Sequence, residues 1–525
     1  MSKISFTSPG KFNFLYFNDL HGQTANLKYF KTAADAFDRR FERQPNFKVA
    51  GGDLNMDIAN KPNILILKIM DLIGLDASSI GNHDLEGGNF WLKAIQKAHP
   101  KFKFLSSNLQ LSRPVKLPNQ IKKSTIVQRM GERIGFVGVS PLDYGELTHI
   151  MPFNDFFKVQ NLEDTVKSVR REVEALEEQG IDKIVLLAHT GKTSKSGDEY
   201  YKRLADIGGV RLIFGGHDHL EVDKWLVSER GEPVKLVSVG KAPDKDITGQ
   251  ELDSFGTLQV FFDKHGIPVP EKCINEVEIT QKYPISKTIV DLAERHLQTG
   301  KVISSSVKEL SCKNRMIEEN PVGSLAADAM LWIVNKETKG KKAQIAFVNS
   351  GTVRGIIPQG NITIGNVREA SPFVSSTLIK TDLTKKQIID TLNWCAESTT
   401  FPKVAPGVMQ VGGMRYTIGK DNKVKDVYLL AKDGSLGERI DIQPDDKKYT
   451  VVYDKFLMTG VAGLKDLKKD PNAVGIEYYP HSRQDAIIEY LEHNFSDTPV
   501  ELKTPRIVIE SEDLELPEKL IAINN

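Results

Sequence analysis

Cysteine is scarce in this 525-residue chain, which contains only Cys273, Cys312 and Cys395. Their number is odd, and no two of them have the CxxC spacing of a thiolate metal site. This pattern argues against a disulfide framework and favours a reducing compartment. We therefore expect a cytoplasmic protein, or a secreted or periplasmic one if a signal peptide has been removed.

Long apolar runs and an excess of one charge are also missing. No run of eighteen apolar residues occurs, and the N-terminus lacks the apolar core of a secretory signal, so no transmembrane helix is predicted. Lys and Arg number 70 against 69 Asp and Glu. This balance, without interleaved basic and aromatic residues, predicts neither a membrane nor a nucleic-acid partner. The oligomeric state stays open.

The length and the apolar pattern predict two α/β domains, because 525 residues exceed what one core usually supports. In the first half, short apolar runs alternate with amphipathic stretches such as 161–180, and this alternation predicts an α/β sandwich. The strands are expected at 12–17, 134–139, 183–188 and 210–216. The expected organisation is a first domain at 1–280, a linker helix and hinge at 281–303, and a second α/β domain at 304–525.

Five short polar stretches each follow an apolar run, where a strand is expected to end. They read FNDLHG, AGGDLNMD, SIGNHDLEGG, LAHTG and FGGHDH. Loops at strand exits can converge on one end of a sheet although they are distant in sequence. The metal-ligating side chains that they carry are Asp19, His21, Asp53, Asn82, His189, His217 and His219.

The types of these side chains indicate which ions they suit. Asp, Asn and His ligands without thiolates favour zinc, manganese, iron or cobalt over calcium. Seven ligands exceed the needs of one tetrahedral ion and are about right for two ions that share a carboxylate. We therefore expect two divalent metal ions as the cofactors. Each residue alone has an ordinary explanation as a helix cap or turn residue, but the whole set is hard to obtain by chance.

The order D-x-H, G-D, G-N-H-[DE], H and G-H-x-H resembles the calcineurin-like metallophosphoesterases, and FNDLHG with FLSSN at 104–108 resembles their 5′-nucleotidase branch. The resemblance implies an N-terminal four-layer α/β/β/α sandwich followed by a C-terminal α/β substrate-binding domain. It implies one metal held by Asp19, His21, Asp53 and His219, and a second held by Asp53, Asn82, His189 and His217.

The same resemblance implies that the catalytic group lies in the GNHD turn. His83 matches the family's catalytic histidine, and Asp84, which follows it in the motif, is expected to be catalytic as well. The family usually orients this histidine with an Asp three residues later, whereas this chain has Glu86, which is one methylene longer. We expect hydroxide generated at the metal pair to attack phosphorus in line, with His83 assisting.

In the second half the resemblance is looser and concerns the substrate. The motifs imply phosphate binding by arginines and stacking of a base between two aromatic rings. The residues concerned are Arg315, Asn349, Arg354, Phe373 and Phe456. The chain departs from the family at Ser375, where the family has Asn, and at Ala462, where the family has an Asp that commonly holds the ribose hydroxyls.

The sequence therefore predicts a metal-dependent phosphoesterase whose small-molecule substrate is a phosphate ester, with nucleoside 5′-monophosphates as the first expectation. A 2′,3′-cyclic-nucleotide phosphodiesterase, a nucleotide-sugar hydrolase or a sulfur-ester hydrolase would share the same metal core. A non-catalytic ligand-binding homologue remains the alternative from another class.

Overall fold

The chain forms two compact units, Met1–Leu297 and Gln298–Asn525. The computed structural model describes residues 10–22, 24, 26–56, 60–144, 157–190, 198–240, 254–372, 377–397, 407–440, 447–458, 460, 464–468, 475–502 and 505–510. Within these ranges, no helix is both long and apolar enough to cross a membrane.

The first unit contains two large sheets and the helices that cover them. Its strands are β1 Gly10–Phe17, β2 Asn46–Ala50, β3 Ala77–Ser79, β4 Lys103–Leu105, β5 Leu109–Leu111, β6 Ile121–Lys122, β7 Ser124–Arg129, β8 Glu132–Val139, β9 Phe157–Val159, β10 Ile184–Ala188, β11 Val210–Gly215, β12 Val222–Val227, β13 Pro233–Ser238, β14 Ser254–Phe262 and β15 Ile274–Ile279. Its helices are α1 Leu27–Arg40, α2 Asn60–Ile73, α3 Asn82–Glu86, α4 Asn89–Ala98, α5 Leu162–Glu178, α6 Asp198–Ala205 and α7 Lys287–Leu297.

The two sheets pack face to face through aromatic side chains. One sheet has the order β15-β14-β1-β2-β3-β4-β6 and the other the order β12-β13-β11-β10-β8-β7. Between them, the ring of Phe14 lies 5.3 Å from that of Phe214, and the ring of Phe47 lies 6.1 Å from that of Phe136. Helices α1, α2 and α4 cover the outer face of the first sheet, and α5 and α6 cover that of the second. The layers are therefore helix, sheet, sheet and helix.

The strands predicted in the first half are all present, because each is a short apolar run that is buried on both sides. Strands β1, β8, β10 and β11 are almost wholly buried, as expected for inner strands of a covered sheet. The predicted helix at 161–180 is α5, whose N-cap Asn161 accepts the backbone N–H of Asp164.

The linker helix predicted within 281–303 is α7, and it belongs to the first unit. There it packs against α1 and α2. Its Ile289 is buried in the core of that unit, and Nε2 of His296 lies 3.0 Å from the carbonyl oxygen of Lys61. Its role as a hinge stays a prediction.

The second unit is built on a mixed five-stranded sheet. Its strands are β16 Val302–Ser306, β17 Ile345–Val348, β18 Gly360–Thr363, β19 Leu378–Thr384, β20 Gln410–Gly412, β21 Met414–Ile418, β22 Val424–Leu430, β23 Leu436–Arg439, β24 Lys448–Asp454, β25 Glu477–Tyr479 and β26 Ile507–Ile509. Its helices are α8 Pro321–Glu337, α9 Ile364–Ala370, α10 Lys385–Glu397, α11 Lys455–Met458 and α12 Arg483–Asn494.

Alternate residues of the central strands face two separate cores. The sheet order is β20-β17-β24-β19-β25, with β17 and β24 parallel. Ala346 and Val348 lie in a core with α8 and α12, whereas Ile345 and Phe347 lie in a core with α10 and the sheet β23-β22-β21-β26. Because successive side chains of a strand point to opposite faces, one strand contributes residues to both cores.

Candidate active site

The five polar stretches of the first unit meet at the carboxyl ends of its parallel strands. Strands β1, β2 and β3 run parallel in one sheet, and β8, β10 and β11 run parallel in the other. The backbone N–H of His217, after β11, donates to Oδ1 of Asp19, after β1, at 3.1 Å. The ring Nδ1 of His189, after β10, lies 2.7 Å from the carbonyl oxygen of Gly51, after β2. The convergence expected from the sequence is therefore present.

The predicted ligand atoms lie within a few ångströms of one another. Nε2 of His189 is 3.1 Å from Oδ2 of Asp53 and 3.8 Å from Oδ1 of Asp19. Nε2 of His21 is 3.5 Å from Oδ1 of Asp19, 3.6 Å from Oδ2 of Asp53 and 3.1 Å from Nε2 of His219. Three groups of side chains are arranged so that each could enclose an ion: Asp19, His21 and His219; Asp19, Asp53 and His189; and His21, Asp53 and His83.

The backbone is left-handed at five of the seven predicted ligands. The φ angles are 56° at Asp19, 49° at His21, 54° at Asp53, 94° at His217 and 56° at His219. A non-glycine residue in this region costs on the order of 1 kcal/mol or more, and such residues cluster at functional sites. Packing alone gives no reason for this concentration, so it supports a functional role for these loops.

One predicted ligand atom, Oδ1 of Asn82, is buried without a hydrogen-bond partner among the described residues. Nε2 of His189 is also buried and faces Oδ2 of Asp53 at 3.1 Å. A buried polar atom without a partner costs about 1–3 kcal/mol, and a cation bound beside Asn82 would relieve this cost. The close approach of Nε2 of His21 to Nε2 of His219 has the same explanation, since both nitrogens can bind one ion. The donor set fits divalent cations.

The charges at the site depend on one another because the groups are buried together. Burial opposes ionisation of Asp53, but the adjacent His189 and His83 outweigh it and hold the pKa of this carboxyl well below its usual range. Burial also opposes protonation of His189, yet Asp53 and Asp19 raise its pKa to about 9. The buried carboxylates of the site therefore favour nearby positive charge. Either protons on the histidines or bound metal ions can supply it.

His83 and Glu86 form a close pair on α3. Nδ1 of His83 lies 2.9 Å from Oε2 of Glu86, so the longer side chain reaches the histidine. The His83 side chain is 25% exposed and Glu86 only 7%, which leaves the imidazole accessible beside the metal-ligating residues. The ring of His83 lies 4.6 Å from that of His21.

Asp84 is fully buried and holds the loops after β2 and β3 together. Its carboxylate accepts the backbone N–H groups of Gly81 at 3.0 Å, Asp53 at 3.1 Å and Asn55 at 2.9 Å. Burial and then the charge of Asp53 raise its pKa to about 7. These contacts give Asp84 a positioning role, and a direct catalytic role stays a prediction.

Gly81 leaves no room for a side chain beside Asp53. A Cβ atom at this position would lie 1.9 Å from Oδ1 of Asp53. We expect Gly81→Ala to displace that carboxylate, to cost about 1–3 kcal/mol of stability and to weaken metal binding. Urea denaturation and metal analysis after dialysis test this. The control is Gly340→Ala, where nothing lies within 4 Å; equal behaviour of the two variants would contradict the prediction.

None of the five polar stretches includes Asp143, whose Oδ2 lies 3.0 Å from Nε2 of His217. Asp143 follows β8, so the signal that indicated the other residues, a polar side chain just beyond an apolar strand, is also present here. Like His21 and His219, it stands four residues past the end of its strand.

The predicted substrate-binding residues belong to the second unit. Asn349 is buried and its side chain accepts the backbone N–H of Gly351 at 3.1 Å, which caps a short 3₁₀ turn. Burial raises the pKa of the Cys312 thiol, and the positive charges of Arg315 and Arg354 oppose this. Phe456 is 43% exposed on α11. Phe373, Ser375 and Ala462 lie outside the described residues.

Comparison with known proteins gives matches in both halves of the chain. Residues 12–221 match the calcineurin-like phosphoesterases, and residues 298–469 match the 5′-nucleotidase C-terminal domain. The trifunctional nucleotide phosphoesterase protein YfkN of Bacillus subtilis is 28% identical over 444 residues, which are 76% of this chain and 28% of that protein. The chain thus spans less than a third of that relative's length.

Two further proteins are similar to this chain over most of its length and most of their own. A probable 5′-nucleotidase of Treponema pallidum is 25% identical over 490 residues, which are 81% of this chain and 78% of that protein. The solved structure of a 5′-nucleotidase precursor from Thermus thermophilus has a TM-score of 0.54 at 22% identity and covers 96% of this chain and 100% of that one. These matches confirm the resemblance found in the motifs and the two-domain α/β fold.

Proposed function

Because the chain belongs to the 5′-nucleotidase family of calcineurin-like phosphoesterases, whose chemistry is metal-dependent phosphoester hydrolysis, we propose that it hydrolyses nucleoside 5′-monophosphates. The observation that carries this proposal is the convergence of two carboxylates, an amide and four imidazoles at the carboxyl ends of the parallel strands, with the accessible His83 beside them.

The ligand set divides into two groups that share Asp53. Asp19, His21 and His219 complete one group, and Asn82, His189 and His217 complete the other. Two divalent ions held in this way would lower the pKa of a water molecule and neutralise charge on the phosphoryl oxygens. Manganese, zinc, cobalt and iron all suit these donors.

His83 acts on the substrate rather than on the ions in this proposal. Nδ1 faces Glu86 at 2.9 Å, and we assign Nε2 as the atom that donates to a phosphoryl oxygen or to the leaving oxygen. The Glu86 carboxylate keeps the ring in that tautomer and orientation. Glu86 thus places His83 as a proton donor beside the oxygen on which negative charge develops.

The second unit supplies the substrate contacts. We assign phosphate binding to Arg315 and Arg354, whose planar guanidinium groups match phosphate oxygens, and further polar contacts to Asn349. Phe456, exposed on α11, is assigned to stack against a base together with Phe373. Cyclic nucleotides and nucleotide sugars remain rival substrates, and the description of one relative as a trifunctional nucleotide phosphoesterase favours testing all of them.

A panel of phosphate esters tests the proposal. Protein stripped of metal with a chelator is reloaded with manganese, cobalt or zinc and incubated with nucleoside 5′-monophosphates, 2′,3′-cyclic nucleotides, nucleotide sugars and sugar phosphates, with products separated by chromatography. We expect the 5′-monophosphates to be hydrolysed fastest and the stripped protein to be inactive. Identically purified His83→Ala protein controls for contaminating phosphatase.

Two other outcomes would contradict this proposal in different ways. Faster hydrolysis of cyclic nucleotides or nucleotide sugars would replace the substrate. Absence of hydrolysis by folded protein that holds two ions would favour the ligand-binding alternative.

A further inference from the structure

Asp143 contacts one of the predicted metal ligands from a loop that none of the motifs includes. Its Oδ2 lies 3.0 Å from Nε2 of His217, and the two side chains are 11% and 9% exposed. The approach of a carboxylate to an imidazole nitrogen at this distance is a charge-assisted hydrogen bond. The contact therefore uses one of the two ring nitrogens of His217.

The contact decides which nitrogen of His217 remains for a metal ion. With Nε2–H donated to Asp143, only Nδ1 is left with a lone pair. His189 shows the opposite arrangement, since its Nδ1 faces the carbonyl oxygen of Gly51 at 2.7 Å and its buried Nε2 faces the predicted ligand Asp53 at 3.1 Å. The two histidines assigned to the second ion thus present different ring atoms.

The loop that carries Asp143 is fixed on both sides. Asn108 is fully buried; its Oδ1 accepts the backbone N–H of Ser140 at 2.8 Å, and its Nδ2 donates to the carbonyl oxygen of Ser140 at 3.0 Å. Tyr144 is 1% exposed and packs in the core of the first unit. Asp143 therefore lies between Ser140, which is fixed by hydrogen bonds, and Tyr144, which is fixed by packing. A group that orients a metal ligand needs such a fixed position.

We propose that Asp143 is a positioning residue that fixes the tautomer and ring orientation of His217, so that Nδ1 of His217 binds the second metal ion. The proposal rests on the metal assignment in the proposed function. A carboxylate that accepts the second N–H of a ligating histidine typically changes metal affinity or activity by about 10–100-fold when it is removed. The contact is thus a part of the site that the motifs do not reveal.

Metal binding to the stripped protein tests this without measuring hydrolysis. Titration with Zn²⁺ and Mn²⁺ is expected to give two sites in the wild type, with the Kd of one site raised about 10–100-fold in Asp143→Ala. Asp143→Asn is expected to lie between them, because its carbonyl oxygen still accepts the ring N–H. The control, Asp164→Asn, removes an exposed carboxylate from α5 and is expected to bind both ions as the wild type does.

The nitrogen-15 spectrum of the histidine rings gives a second readout. We expect the His217 signals, assigned with a His217→Gln variant, to show a protonated Nε2 and an Nδ1 that shifts on addition of Zn²⁺. Loss of that tautomer preference in Asp143→Ala would support the proposal. Wild-type affinity at both sites in Asp143→Ala, or a zinc-induced shift at Nε2, would overturn it. Neither result depends on whether the protein hydrolyses nucleotides.

Discussion

Replacing His83 with Ala is expected to lower kcat for phosphate-ester hydrolysis by about 10²–10⁴-fold, the usual contribution of a positioned proton donor. The side chain is accessible, and its Nδ1 faces Glu86, so the substitution removes Nε2 as a donor to the substrate. The metal content is expected to stay at two ions, because Asp19, Asp53 and the other assigned ligands are unchanged. Steady-state kinetics and metal analysis of the dialysed protein measure the two quantities.

A graded series separates the functions of His83 and Glu86. Glu86→Gln is expected to give a smaller loss of kcat than His83→Ala, since the imidazole remains but loses the charge that fixes its tautomer. His265→Ala, an exposed histidine of the same unit, is the control and is expected to leave kcat unchanged. Loss of one ion in His83→Ala would contradict the assignment. It would instead make His83 a ligand in the group with His21 and Asp53.

Replacing Arg483 with Met is expected to destabilise the second unit by about 3–5 kcal/mol, the usual cost of removing one partner of a buried ion pair. Nη1 of Arg483 lies 2.6 Å from Oδ2 of Asp454, and the two side chains are 1% and 2% exposed. The substitution leaves the Asp454 carboxylate buried without its counter-charge. Urea denaturation, followed by hydrogen exchange of peptides from the second unit, measures the loss.

The same guanidinium joins three segments that carry predicted substrate residues. Its Nε donates to Oγ of Ser371 at 2.9 Å and its Nη2 to the carbonyl oxygen of Thr352 at 3.4 Å. Asp454 also accepts the backbone N–H of Leu457 on α11, the helix that carries Phe456. We therefore expect the folded fraction of the Arg483→Met protein to have a raised KM.

An exposed ion pair of the same unit provides the matched control. Nη2 of Arg439 lies 3.1 Å from Oδ1 of Asp426, and the two side chains are 59% and 51% exposed. Exposed pairs contribute about 0–1 kcal/mol, so Arg439→Met is expected to change the unfolding transition little. A destabilisation by Arg483→Met as small as that of Arg439→Met would show that the buried pair is not a main determinant of stability.

The amino-acid sequence by itself determined the elements of the fold and the types of the predicted metal ligands. Strands β1, β8, β10 and β11 are short apolar runs, and this signal is contained in a few adjacent residues. The polar residues directly after such runs can likewise be recognised from a few adjacent residues. Parallel strands bring their carboxyl ends to one edge, so position along the chain was enough to predict that these residues meet.

Only the tertiary structure decided which side chains contact the predicted site histidines and join the segments that carry the predicted substrate residues. The pairs Asp143–His217 and Asp454–Arg483 are 74 and 29 residues apart in sequence. The reach of Glu86 to His83 depended on the geometry of the short helix α3. Each of these contacts requires two separate segments, or one bent segment, to be fixed within about 3 Å, the length of a hydrogen bond. For the two pairs that are distant in sequence, no local pattern encodes that distance, because it follows from the packing of the whole unit.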